Sequence, residues 1–200
     1  MNRSASTLLF SLLLALTLTA CDTMSSAWND VAGDDMPPAN ALPSPGCPQV
    51  AVIRSLSIYQ NPPQADENTL VLTARMGKLR SSCESNEAGV TVNASFDVAA
   101  MKGQNSASNH VSIPFFVSVV DAGDNVISKN VYEIPLDFDD GAMEAHVTTP
   151  IQPQFNVRPG ESGAKYRVLV GFHLNPSQID ANARFFGEIP SATSIKQRLP

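Results

Sequence analysis

The chain is predicted to be all-β, an antiparallel β-sandwich of about seven strands with one short C-terminal helix. Three observations carry that expectation. From Cys47 onward, apolar residues recur at every second position in short segments, the period of a strand buried on one face only. Gly, Pro, Asn and Asp break these segments at intervals of roughly 12–25 residues, the pattern of a sandwich built from many short strands. Only one stretch, after Asn175, carries the chemistry of a helix start.

Taken in order, Val50 to Tyr59 is expected to be the first strand, tied at its start by Cys47. Leu70, Leu72, Ala74 and Met76 form the inward row of the second. The cleanest row is Val90, Val92, Ala94, Phe96 and Val98, alternating with Thr91, Asn93, Ser95 and Asp97. Val111 to Val120 is apolar on both faces and so belongs in the middle of a sheet, with Pro114 disturbing its first half. The stretch Asp121-Ala122-Gly123-Asp124-Asn125 reads as a hairpin turn in which Gly supplies positive φ. Tyr132, Ile134, Leu136 and Phe138 form the next row. Pro135 lies between them and has no amide to donate, which places that strand at an edge or at a bulge. Met143 to Thr149 is a weaker strand, and Tyr166, Val168, Val170, Phe172 and Leu174 complete the set.

Asn175-Pro176-Ser177-Gln178 supplies an N-cap, a proline at the first helical position and a Gln able to close a capping box. The helix should end near Phe185, before Gly187 and Pro190, with Ile179, Ala183 and Phe185 facing the domain. These elements define a domain over 47–187, followed by a loose tail, 188–200.

The segment Val157-Arg158-Pro159-Gly160 with Tyr166-Arg167-Val168-Leu169-Val170 resembles the penultimate turn and strand of fibronectin-type and other immunoglobulin-like modules. In those modules a Tyr hydrogen-bonds back across the corner. The resemblance covers about 15 residues, without the Trp and paired-strand cysteines of that fold. It implies an immunoglobulin-like sandwich and carries no function with it.

The N-terminus has a different character. Arg3 precedes an uncharged run from Leu8 to Leu18, followed by Thr19, Ala20 and Cys21. A positive start, a short apolar core and small residues describe a secretory signal over 1–20, too short to cross a hydrocarbon layer of ~30 Å. The sequence Leu18-Thr19-Ala20-Cys21 resembles the lipobox of bacterial lipoproteins. That resemblance implies cleavage before Cys21 and lipid, including palmitate, on its thiol. It places the protein in a bacterial cell envelope, membrane-anchored and facing the periplasm. Asp22 resembles an inner-membrane retention signal, a rule that differs between lineages and leaves inner versus outer membrane open. Residues 21–46 carry Asp, Asn, Ser, Pro and Gly without periodicity and read as a flexible tether, spanning roughly 25–30 Å as a random coil.

With Cys21 assigned to lipid, Cys47 and Cys83 remain as an even pair in an oxidising compartment, and a disulfide between them is expected. Losing Arg3 leaves 12 basic residues against 19 acidic ones, a net charge of −7. That balance argues against nucleic acid, which needs a clustered basic footprint, and against a polybasic second membrane signal.

Catalytic patterns are scarce. His110, His146 and His173 sit on or beside different strands at no metal-ligating spacing, and His173 should point outward. No Gly-x-Ser-x-Gly occurs, a Ser-Lys nucleophile is not expected, and no phosphate-cradling Gly-rich loop precedes a helix. The best constellation is Asp137, Asp139 and Asp140 before Gly141, with Glu144 beyond, a weak candidate for Ca²⁺ ligation because the EF-hand order is missing. The same carboxylates could form an acid/base pair, but only 6% of residues are aromatic and one is Trp, few for stacking on sugars. No cofactor and no enzymatic activity are expected. The favoured reading is a non-enzymatic, lipid-anchored protein that binds another envelope component. The alternatives are a small-ligand or glycan-binding module and, last, a hydrolase with a dispersed site.

Overall fold

The computed structural model describes residues 46–86 and 89–188. The expected signal over 1–20, Cys21 with the rest of the expected tether through residue 45, and the expected tail beyond Glu188 lie outside them. Among the described residues the elements run β1 (Gln49–Val52), β2 (Ile58–Asn61), β3 (Leu72–Asn86), β4 (Gly89–Lys102), β5 (His110–Val120), β6 (Val126–Asp137), β7 (Glu144–Ile151), β8 (Gln154–Phe155), β9 (Arg167–Phe172) and α1 (Pro176–Phe185). One sheet has the order β1-β9-β5-β6. The other has the order β2-β3-β4-β7, with β8 also on β4.

Most residues of the inward rows read from the sequence are in the core; Leu70 is only partly buried and Tyr132 is 48% exposed. Val90, Val92, Ala94, Phe96 and Val98 of β4 are buried, and so are Tyr166, Val168, Val170, Phe172 and Leu174 around β9. Rings cross the interface between the sheets. Phe96 of β4 meets Phe115 of β5 edge-on at 5.4 Å, and Tyr59 of β2 meets Phe172 of β9 at 6.0 Å. Full burial of one such side chain contributes about 1.5–3 kcal/mol.

Two-sheet packing is therefore as expected, whereas the immunoglobulin connectivity is not confirmed. In that fold the second and third strands lie in opposite sheets. Here β3 and β4 are hydrogen-bonded neighbours over most of their length. The corner tyrosine is present all the same. Tyr166 is buried, its hydroxyl accepts from the Arg158 amide at 3.1 Å and donates to Glu161 Oε2 at 2.8 Å. Ahead of it, Arg158-Pro159-Gly160-Glu161 closes a turn with Glu161 N donating to Arg158 O and Gly160 at φ +79°. The third residue of a type II turn needs that conformation.

The expected first strand, Val50 to Tyr59, is two strands in different sheets. β1 runs parallel to β9, a 3-10 turn over Arg54–Leu56 intervenes, and β2 then pairs antiparallel with β3. The turn lies against β9 because Gly171 leaves room. A Cβ there would come 2.8 Å from Leu56 Cβ and 3.3 Å from the Phe116 ring.

The prolines sit where they cost least. Pro135 and Pro150 lie on β6 and β7, each at an edge of its sheet. Pro114 is in the central strand β5, but its carbonyl accepts from His173 N, immediately past the end of β9. In a strand, the N and C=O of one residue point to the same side. The missing donor of Pro114 therefore faces a gap in the ladder.

The helix start is as expected, with Asn175 and Gln178 forming a capping box and Pro176 in the first turn. The docked face differs from expectation. Gln178, Asn182 and Ala183 are buried, while Ile179 and Phe185 are 41% and 66% exposed. The helix lies along the edge of β2 and not over an apolar face. Asn182 Nδ2 donates to Ser55 O and Ile58 O at 2.9 and 2.8 Å, and Gln178 Nε2 donates to Gln60 O at 2.9 Å. The Ile58 and Gln60 carbonyls would otherwise stand unpaired along an edge strand. The β2 edge is thereby closed.

Candidate binding edge at β6

The β6 edge is treated differently. It begins at a turn organised by Asp121, which is 3% exposed. Asp121 Oδ1 accepts from the Gly123 and Asn125 amides at 2.9 and 3.0 Å, and Oδ2 accepts from Arg158 Nη2 at 2.9 Å. A second ion pair joins Arg167 to Asp124. Positive φ falls on Asp124, at +64°, and not on the expected Gly123. Asp tolerates this conformation in turns, where its short polar side chain bonds locally.

The hydrogen bonds from the Asn125 amide and side chain, then Gly123 and Arg158, hold the Asp121 carboxyl down from its ordinary value near 3.8 to about 2. A depressed folded-state value means that the turn contributes its full stability above pH ~4. That contribution is lost as pH falls toward 2. Asp121→Asn is therefore expected to lower the melting temperature at pH 7 and to flatten its fall between pH 4 and 2. Parallel melting curves for variant and native chain at low pH would contradict this assignment.

From that turn β6 runs to Asp137, with β5 as its only hydrogen-bonded neighbour among the described residues. The direction of its backbone follows from Pro114. Pro114 turns toward β9 and faces Glu133 in the β5–β6 register. Pro114 and Glu133 are consequently a non-hydrogen-bonded pair, and Glu133 turns its N–H and C=O away from β5. Lys129 and Val131 share that parity. The adjacent parity faces inward, as Ser128 O shows by accepting from Ser118 Oγ at 3.0 Å. Pro135 lies on the outward parity, so its missing N–H removes nothing from the β5–β6 ladder.

The first half of β6 is also poorly covered on its faces. Val126 is 62% exposed, and Ile127, Val131 and Tyr132 are each close to half exposed. Tyr132 was expected in the core row. Ile134, Leu136 and Phe138 are buried as expected, but the Tyr132 ring only leans on Phe115 at 5.5 Å. Lys129 lies over the Phe116 ring, and Glu133 accepts from Ser112 Oγ at 2.8 Å. The result is an open strand edge with apolar, acidic and basic side chains within a few residues of one another. Such an edge can add a strand from another chain.

The other expected site residues are dispersed or already partnered. Cys47 and Cys83 form a disulfide, with their Cα atoms 5.8 Å apart. Exposed Asp137 pairs with His110 Nδ1 at 2.6 Å, and Asp140 accepts from Asn109 at 3.3 Å. Asp139 and Glu144 are exposed on the turn and at the start of β7. Among the described residues no three His, Cys, Asp or Glu side chains are grouped to hold a metal ion. His146 and His173 are exposed, His173 in the expected direction. Cys21 lies outside the described residues.

Two features escape the sequence reading. Ser162-Gly163-Ala164-Lys165 does have Ser-x-x-Lys spacing. It folds as a 3-10 turn with Ser162, Ala164 and Lys165 exposed and Gly163 buried, in which Ser162 Oγ caps the Ala164 amide at 3.3 Å, the role of a helix cap. The other is the first half of β6. Its signal was the pair of apolar doublets Val126-Ile127 and Val131-Tyr132 just after the hairpin turn. Comparison with known proteins found no matching family model, no matching curated protein and no matching solved structure.

Proposed function

We propose that this chain is a lipid-anchored protein of the bacterial cell envelope, and that its β-sandwich binds another envelope component through the free edge of β6. No reaction and no cofactor are assigned to it. The observation that carries the reading is the contrast between the β2 and β6 edges, two of the four sheet edges. The β2 edge is closed by Gln178 and Asn182, whereas β6 leaves the backbone of Lys129, Val131 and Glu133 open beside exposed Val126, Ile127, Val131 and Tyr132. A long open edge is a liability for aggregation unless something uses it. The anchor rests on the lipobox-like Leu18-Thr19-Ala20-Cys21, and residues 21–46 would hold the domain away from the headgroups.

Labelling cells with a fatty-acid analogue tests the anchor. The native chain is expected to carry label and sediment with membranes, and Cys21→Ala to lose both. An unlabelled native chain, or a Cys21→Ala chain that still carries label, would contradict the anchor without touching the edge.

A further inference from the structure

We propose that the chain taken up by the β6 edge is a second copy of this protein, paired antiparallel through β6 about a two-fold axis at Val131. This rests on the reading of β6 as the binding edge and names its occupant. Register selects this pairing. Lys129, Val131 and Glu133 all present N–H and C=O to the free edge, so a partner strand must bond to residues of that parity. Two identical strands crossing at Val131 place Val131 opposite Val131 of the partner copy. They also place Lys129 opposite Glu133 of the partner copy and, by symmetry, Glu133 opposite Lys129 of the partner copy.

Each of these facing pairs exchanges two backbone hydrogen bonds, and both charged pairs are of opposite sign on the same face of the joined sheet. Two-fold symmetry of this kind is the commonest arrangement of identical subunits. Glu133 uses Oε2 to accept from Ser112, which leaves Oε1 for the lysine of the partner copy. The register also has a natural end. Beyond Lys129 and Glu133 the register sets Pro135 opposite Ile127 of the partner copy, where proline has no N–H to continue the ladder and Ile127 lies at the irregularity opposite Val120. Shifting the axis by one residue, to Asn130 or Tyr132, pairs Val131 with Lys129 or with Glu133 and loses the match of charges.

The facing Val131 Cα atoms would lie ~5.5 Å apart, inside the span that a disulfide bridges. In the full chain in its native membrane, Val131→Cys is expected to give a disulfide-linked dimer on oxidation. Ile127→Cys, far from its symmetry mate in this register, should give none. In the Val131→Cys background, Lys129→Glu or Glu133→Lys alone puts like charges opposite each other twice. Either is expected to cut the dimer yield by about tenfold, and the two together to restore it. A combined swap no better than either single swap would overturn the register. Val131→Cys joined to a different protein or to another segment of its own chain would overturn pairing of copies. The first of these outcomes would leave the edge reading standing. Failure of Val131→Cys to join any chain would overturn both.

Discussion

Removing the Cys47–Cys83 bridge lowers the stability of the domain by about 3–4 kcal/mol, because it closes a loop of 36 residues that the unfolded chain would otherwise explore. For a domain of this size that corresponds to a fall in melting temperature of roughly 10 °C. The geometry says where the loss is felt first. Beyond Leu79 the residues of β3 are mostly exposed and have β4 as their only strand neighbour among the described residues, whereas Val90, Val92 and Ala94 on the facing stretch of β4 are buried. Cys83, opposite Val92, ties this arm to the chain just before β1. Amide exchange in the Cys47→Ser/Cys83→Ser variant should therefore accelerate over 80–86 before it does in the core of β9. A variant melting within about 2 °C of the native chain would contradict the stabilisation assigned to this loop closure.

The second large effect is on binding. Val131→Pro removes a donor that points away from β5 and adds a ring where an incoming strand would lie. It is expected to abolish edge pairing while costing the fold only about 1 kcal/mol, the span of strand preferences at an exposed edge position. Pro135, four residues on and of the same parity, is the native precedent for a proline in this strand. Asn130→Pro is the contrasting control. Its amide turns toward β5, so the same residue there breaks the β5–β6 ladder and lowers the melting temperature much more.

The parts of the fold that were legible in the sequence are those where one face meets the core and the other meets water. β4 and β9 alternate cleanly because both conditions hold along their length, and their inward rows are buried residue for residue. Val50 to Tyr59 was read as one strand because nothing in its alternation marks the change of sheet at Arg54–Leu56. The first half of β6 was missed for a related reason. Exposed on both faces, it has no buried row to impose a period of two. The helix start at Asn175 was legible from local capping, but its docking face was not. Apolar patterning points to Ile179 and Phe185, whereas the contact that holds the helix is hydrogen bonding from Gln178 and Asn182 to strand carbonyls.

The same division applies to the candidate site. The disulfide followed from pairing two cysteines once Cys21 was assigned elsewhere, which needs no geometry. The proposed binding edge depends on which way each peptide of β6 points, and that follows from a proline on the neighbouring strand and a histidine amide beyond β9. Neither is close to β6 in sequence. Separating a free edge from a covered one likewise required the side chains of α1 to be seen on β2.

The most direct test of the β6 edge is a photo-reactive side chain at Ile127, introduced into the full chain in cells with and without Val131→Pro. Adducts to another polypeptide are expected from the first and their loss from the second, at a melting temperature lowered by only a few degrees. Adducts of undiminished yield in the folded Val131→Pro chain would contradict pairing through this edge.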